Sequence, residues 1–107
     1  MTQTLTKPVL EYCEELVRYL QDDYDSESYD PGGRYKFTIS TGRKYYKILE
    51  NKGSVHAFVD KTTGDVFKPA SWNKPAQHVR YNLLDNRSRS LCFDNADWSG
   101  GYLYLRG

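Results

Sequence analysis

The 107-residue sequence is poor in the residues that build reactive or covalently cross-linked sites. It has two cysteines and two histidines, and no pair among these four residues has the spacing of a zinc site or a redox motif. Cys13 and Cys92 are therefore expected to be reduced, buried thiols. No local sequence supports a Cys92–His78 or a Cys13–His56 catalytic pair. We expect no catalytic residue, no metal and no cofactor, although an enzyme without these signatures stays open.

Long apolar runs are also missing. No stretch approaches the roughly 18 apolar residues of a membrane span, and residues 1–7 are polar with no signal-peptide core after them. The sequence thus predicts a soluble, cytoplasmic protein without a membrane partner. Its length fits one domain, which can bury roughly two thirds of the surface of the unfolded chain.

The small net charge of +1 hides an uneven distribution. Residues 1–33 hold eight acids and two bases, whereas residues 34–107 hold thirteen bases and six acids. Segment 22–33 is predicted to be an acidic loop. It lacks the glycine and the final glutamate of a calcium-binding EF-hand loop, since Ser28 and Arg34 occupy those positions. The acidic part either packs beside the basic part and neutralises it, or leaves a basic face free for a partner.

Apolar periodicity predicts two helices. The first spans residues 6–21, with Thr6 as its N-cap, because apolar residues recur there at steps of three and four. The second spans residues 85–97 and begins at Asp85 or Asn86, either of which is a good cap.

Alternation with a period of two predicts four strands at hairpin spacing within residues 34–68. In the third of them, Val55, Ala57 and Val59 should face one way, and His56 and Phe58 the other. Residues 70–77 are predicted to be a connection, with Trp72 folded against the sheet. The terminal segment 102–106 is predicted to close the sheet as a last strand. The predicted fold is α+β, with an antiparallel four- to five-stranded meander and two helices packed on one face.

Three segments of the sequence resemble short uncharacterised proteins of tailed bacteriophages. These segments are "SVHAFVDKTTGDVFKPASW" (residues 54–72), "HVRYNLLD" (78–85) and "ADWSGGYLYLR" (96–106). The resemblance implies a virus-encoded protein that acts in the cytoplasm of an infected bacterium. It implies no activity and no binding residues.

A basic and aromatic stretch, residues 34–52, gives one hypothesis for function. It holds six bases against one acid, interleaved with aromatic residues. Single-stranded nucleic acid is bound by such mixtures, in which cations follow the phosphates and rings stack on bases. The alternation of the strands would group five residues on one face: Arg34, Lys36, Arg43, Tyr45 and Lys47. The alternative is an ordinary basic outer face that protects edge strands from unwanted pairing.

The favoured hypothesis at this point is a non-enzymatic protein–protein interaction module with a host or phage protein as its partner. Tryptophan and tyrosine dominate interface energies. The candidate anchors are Trp72, Trp98, Tyr102 and Tyr104. A homo-oligomer formed through the edge of the predicted terminal strand is a variant of the same hypothesis.

Overall fold

The computed structural model describes residues 8–27, 35–51 and 53–104. Within these residues, five strands, two α-helices and a short 3-10 helix follow one another. Their bounds in chain order are α1 (Val9–Glu27), β1 (Phe37–Thr41), β2 (Tyr45–Glu50), β3 (Ser54–Asp60), β4 (Asp65–Pro69), β5 (Pro75–Asn82), α2 (Asn86–Asn95) and η1 (Gly101–Leu103). No helix in the described part of the chain is both long and apolar enough to span a membrane.

The five strands form one antiparallel sheet in the order β1-β2-β3-β4-β5, so each strand pairs with its neighbours in sequence. Both helices contribute to the core cluster on one face of this sheet. The α+β class and the meander are thus confirmed, as are four strands within residues 34–68. The β3–β4 turn needs a glycine at Gly64, where φ is 79° and an added Cβ would lie 2.9 Å from a carbon of Leu84.

Helix α1 packs its apolar stripe onto the sheet through Cys13, Leu16 and Leu20, which are fully buried in the same cluster as Ile48 and Val59. The helix ends at Glu27, so residues 22–27 are helical and not part of a loop. The predicted cap Thr6 and the rest of the predicted acidic loop, residues 28–33, lie outside the described residues. The extension is stabilised by tertiary contacts, because Tyr24 stacks on Tyr35 with ring centroids 4.3 Å apart.

The fifth strand differs from the prediction. It is Pro75–Asn82, within the segment assigned to a connection and to the approach of the second helix. A proline at the first position of an edge strand is tolerated because no ladder hydrogen bond is lost there. Helix α2 then starts at Asn86, and the carboxylate of Asp85 caps it by accepting the backbone N–H of Ser88 at 2.8 Å.

The predicted terminal strand is also not found where the chain is described. Gly101–Leu103 forms a 3-10 turn instead, and residues 105 and 106 lie outside the described residues. Tyr102 and Leu103 are buried in the core cluster, and the Tyr81 hydroxyl donates to the Tyr102 carbonyl at 3.0 Å. The last described residues therefore cover the core and do not add a strand to the sheet. The edge through which a homo-oligomer was predicted to form is absent from the described residues.

A β-bulge in β3 changes the direction of one side chain. Ile48 pairs with Ala57 and the next residue, Leu49, pairs with Val55, so His56 is the extra residue on β3. His56 turns to the helix side, where its ring meets Phe37 edge to face at 5.5 Å. The prediction that His56 shares a face with Phe58 is therefore wrong, because a bulge interrupts the alternation on which it depended.

Candidate nucleic-acid interface

The sheet face turned away from the helices, which we call the open face, follows from the strand register. Lys47 lies opposite Ser40 on β1 and opposite Phe58 on β3. Phe58 in turn lies opposite Phe67, and Phe67 opposite Val79. Cross-strand partners share a face, so these residues form a row across all five strands. We define the open face by Thr38, Ser40, Tyr45, Lys47, Phe58, Phe67 and Val79.

Aromatic rings surround Lys47 on the open face. Its ammonium lies 4.6 Å from the ring centroid of Trp72 and 5.8 Å from that of Phe58. The ring of Tyr45 packs edge to face against Phe58 at 5.6 Å and against Phe67 at 6.1 Å. Phe58 is buried beneath its neighbours, whereas Trp72 is 48% exposed. The face thus offers partly accessible rings held in place by mutual packing, with a cation between them.

Four of the five predicted nucleic-acid-binding residues lie on the open face or at its rim. Tyr45 and Lys47 are half-buried on the open face, and Arg43 is exposed in the turn that leads into β2. Lys36 is exposed just before β1, where alternation with Thr38 puts it on the same side. Arg34 lies outside the described residues.

Three acids near the end of α1, namely Asp22, Asp23 and Asp25, lie on a different element from this group. They belong to α1, which packs against the opposite face of the sheet. Asp23, for example, accepts the backbone N–H of Trp98 at 2.9 Å on the helix side. On the open face itself, Asp60 lies opposite Tyr45, but it is only 9% exposed and accepts the backbone N–H groups of Thr62 and Thr63. Asp65, two residues before Phe67 on β4, shares this side and accepts from the Asn82 amide at 2.6 Å. The open face thus carries two hydrogen-bonded acids toward β4, and exposed bases at its β1–β2 side.

The four predicted protein-interaction anchors are dispersed. Trp72 is half exposed beside the open face, whereas Trp98 packs against Tyr24 at 5.1 Å and Tyr102 is buried. Tyr104 is exposed on the other side, where the ammonium of Lys68 lies 4.8 Å from its ring centroid. These residues do not form one surface.

A buried polar network under the sheet was not predicted from the sequence. His56 Nδ1 lies 2.7 Å from one carboxylate oxygen of Glu50, and His56 Nε2 lies 2.9 Å from the Tyr102 hydroxyl. The Tyr35 hydroxyl donates to the other oxygen of Glu50 at 2.7 Å. If Nδ1–H donates to the carboxylate, Nε2 is left to accept the Tyr102 O–H, and every group is satisfied. The signal in the sequence was a histidine in an otherwise apolar strand.

Hydrogen bonds and burial shift the pKa values of groups in this network. The hydrogen bond from His56 lowers the pKa of Glu50, burial opposes that effect, and the bond from Tyr35 adds to it. Burial raises the pKa of Tyr102 well above its ordinary value, so its hydroxyl stays protonated. The adjoining cavity has a volume of about 140 Å³. Ligand pockets are usually larger, at about 300–1,000 Å³.

The two cysteine thiols are removed from solvent. Cys13 and Cys92 are free and fully buried, and burial raises the pKa of each thiol to about 12. Within the described ranges, histidine, cysteine and acidic side chains form no group of three or more that could hold a metal ion.

These features define a small α+β protein with helices on one face of a meander and a basic, aromatic open face on the other. Residues 1–105 match DUF7717, a family of unknown function, and the chain belongs to that family. No curated protein and no solved structure matches this chain.

Proposed function

We propose that the open face binds single-stranded nucleic acid. The observation that carries this proposal is the position of Lys47. It stands beside the rings of Phe58 and Trp72, on the side of the sheet opposite the acidic helix α1. Lys36 and Arg43 extend the positive charge toward the β1 side. The setting proposed with this function is the cytoplasm of an infected bacterium, as the resemblance to phage proteins implies.

The strand form of the ligand follows from the rings. Base faces are hidden in a double helix but exposed in a single strand, where they stack on aromatic side chains. Tyr45, Phe67 and Trp72 keep accessible ring surface on or beside the open face. Stacking is tolerant of sequence, and the cations contact phosphates of any sequence, so we expect weak base preference.

A protein partner is the other class of ligand that this face could take, through the exposed Trp72 and Val79. The positive charge of Lys36, Arg43 and Lys47 favours nucleic acid over a protein ligand. The four aromatic residues predicted as protein-interaction anchors are dispersed, so they do not form a second candidate surface. A protein ligand is therefore treated as an outcome of the test.

The test is fluorescence anisotropy with a labelled oligothymidylate at several salt concentrations. We expect binding that weakens with salt, with a log–log slope of about −0.7 for each phosphate contacted. Lys47→Gln should weaken binding and make the slope shallower by about 0.7. Arg87→Gln is the matched control, because Arg87 is exposed on α2 and the variant removes the same charge from the helix side.

No binding of single strands by the unaltered protein, or equal effects of Lys47→Gln and Arg87→Gln, would contradict the proposal. If nucleic acid fails but a nuclease-resistant partner protein is recovered from host lysate, and Lys47→Gln and Trp72→Ala release it, the face is a protein-binding surface.

A further inference from the structure

A shallow depression that is widely open to solvent, which we call the Trp72 pocket, lies where the β2–β3 turn approaches the connection between β4 and β5. Its volume is about 330 Å³. This volume lies within the usual range of ligand pockets, about 300–1,000 Å³. The cavity beside His56, at about 140 Å³, is smaller than that range. The lining of the Trp72 pocket includes Ser54, Val55, Pro69, Ala70, Ser71 and Trp72.

The walls of this pocket suit a flat heterocycle. The indole of Trp72 supplies a large aromatic surface that is 48% exposed, and Val55, Pro69 and Ala70 supply small apolar surfaces. Stacking on such a ring is sequence-tolerant, because every nucleobase has a π-face.

The lining of the pocket also includes polar side chains. Ser54 and Ser71 are exposed in its lining, and each hydroxyl can donate one hydrogen bond and accept others. Within residues 8–27, 35–51 and 53–104, no hydrogen bond involves either hydroxyl. Both can therefore turn toward a ligand without breaking a contact among those residues.

The pocket is continuous with the basic part of the open face. The Lys47 ammonium lies 4.6 Å from the Trp72 ring centroid, so one cation borders both surfaces. A strand whose phosphates follow Lys47 would bring a neighbouring base to the indole. We propose that the Trp72 pocket takes one unstacked nucleobase of the single strand bound on the open face, an inference that rests on the proposed function.

The test compares Lys47→Gln with two variants that leave every charge in place. Trp72→Ala removes the stacking ring, and Ala70→Leu fills the pocket while keeping the backbone hydrogen bond from Ala70 N–H to the Lys74 carbonyl. Both should raise the Kd for oligothymidylate by roughly 5- to 150-fold, the usual cost of one lost stacking contact. Neither should change the salt slope, because no phosphate contact is removed. Circular dichroism and thermal unfolding report whether each variant is folded.

Fluorescence gives a second readout. Oligothymidylate should quench part of the tryptophan emission of the unaltered protein, and Trp72→Phe should abolish that quenching while retaining part of the affinity. If the unaltered protein binds and Lys47→Gln weakens it, but Trp72→Ala and Ala70→Leu bind normally and the emission is unchanged, the base pocket is refuted and the proposed function stands. If the unaltered protein does not bind, both are refuted.

Discussion

At the scale of single residues, the side chain of Glu50 connects parts of the chain that are distant in sequence. Its two carboxylate oxygens accept from Tyr35, which precedes β1, and contact His56 on β3. His56 reaches Tyr102 after α2, so three regions of the sequence meet in one chain of hydrogen bonds. Such buried networks stabilise a fold when every member is satisfied and are costly when one member is removed.

Glu50→Gln tests this network through its pH dependence. The pKa of Glu50 is lowered in the folded protein, chiefly by the bond from His56. The stabilisation is therefore present above the ordinary value of 4.5 and is lost as pH falls through the lowered pKa. At about pH 7 the variant should lose about 1–3 kcal/mol of unfolding free energy, since the amide carries no charge and offers only one acceptor oxygen to the two donors. Urea unfolding should show that this difference shrinks below pH 4.5.

The exposed carboxyl of Asp94 on α2 provides the control for this experiment. Asp94→Asn should leave both the unfolding free energy and its pH profile close to those of the unaltered protein. A Glu50→Gln difference that stays constant from neutral to acidic pH would show that the carboxylate charge contributes nothing to stability.

The direction of His56 could not be predicted from residue pattern alone. Alternation correctly grouped Ala57 with Val59, which lie two residues apart on a regular stretch of strand. Val55 was predicted to share their face, but beyond the bulge it lies opposite Leu49, on the other face. The bulge at His56 depends on how β3 pairs with β2, which local sequence does not encode.

At the scale of elements, the edge strand β1 is protected by a side chain of α1. The Gln21 amide donates to the Tyr35 carbonyl at 2.8 Å and accepts the Phe37 N–H at 3.1 Å, as a neighbouring strand would. Unpaired backbone groups on an edge invite pairing with another chain. Gln21 therefore both anchors the helix to the sheet and covers part of its edge.

Gln21→Ala should lose about 1–2 kcal/mol of unfolding free energy, because two hydrogen bonds to the backbone are removed. It should also increase self-association, which light scattering over a concentration series would detect. Gln77→Ala is the control, since Gln77 is exposed on the other edge strand, β5. Equal behaviour of the two variants would contradict the role given to Gln21.

The N-cap of α2 gives a second test at this scale. Asp85→Ala should cost about 0.5–2 kcal/mol, because the Ser88 N–H loses its acceptor at the first turn. Asp85→Asn should restore most of the loss, and Asp94→Ala should cost little. Thermal unfolding of the three variants measures these differences, and an unaffected Asp85→Ala would show that the cap is unimportant.

Elements with a strong period were predictable, and elements defined by distant contacts were not. The stripe of α1 and the hairpins of β1 to β4 could be read from residue spacing, and Asp85 was one of two caps considered for α2. The last turns of α1 are acidic and look like a loop, but Tyr24 lies four residues after Leu20 and continues the apolar stripe. Strand β5 was missed because it begins inside residues 70–77, which were predicted to be a connection, and its pairing with β4 is interrupted by register shifts.

At the scale of the whole molecule, the uneven charge of the sequence becomes a partial separation between two faces, because Lys68, Arg80 and Arg87 stay on the helix side. The acids of residues 22–27 lie on α1, on the helix side, while Lys36, Arg43 and Lys47 lie on the open face or at its rim. The sequence left two arrangements open, neutralisation or separation, and composition could not decide between them. The position of α1 in the described structure favours separation, which gives a polyanion a surface to approach.

The most direct test of binding at the open face is a nitrogen-15 NMR titration of the protein with short oligothymidylate. We predict that amide shifts change in β2 around Tyr45 and Lys47, at Phe67 on β4 and at the indole N–H of Trp72, while α1 stays unperturbed. Shifts confined to the helix side, or no shifts at oligonucleotide concentrations in the millimolar range, would contradict the claim that the open face binds single-stranded nucleic acid.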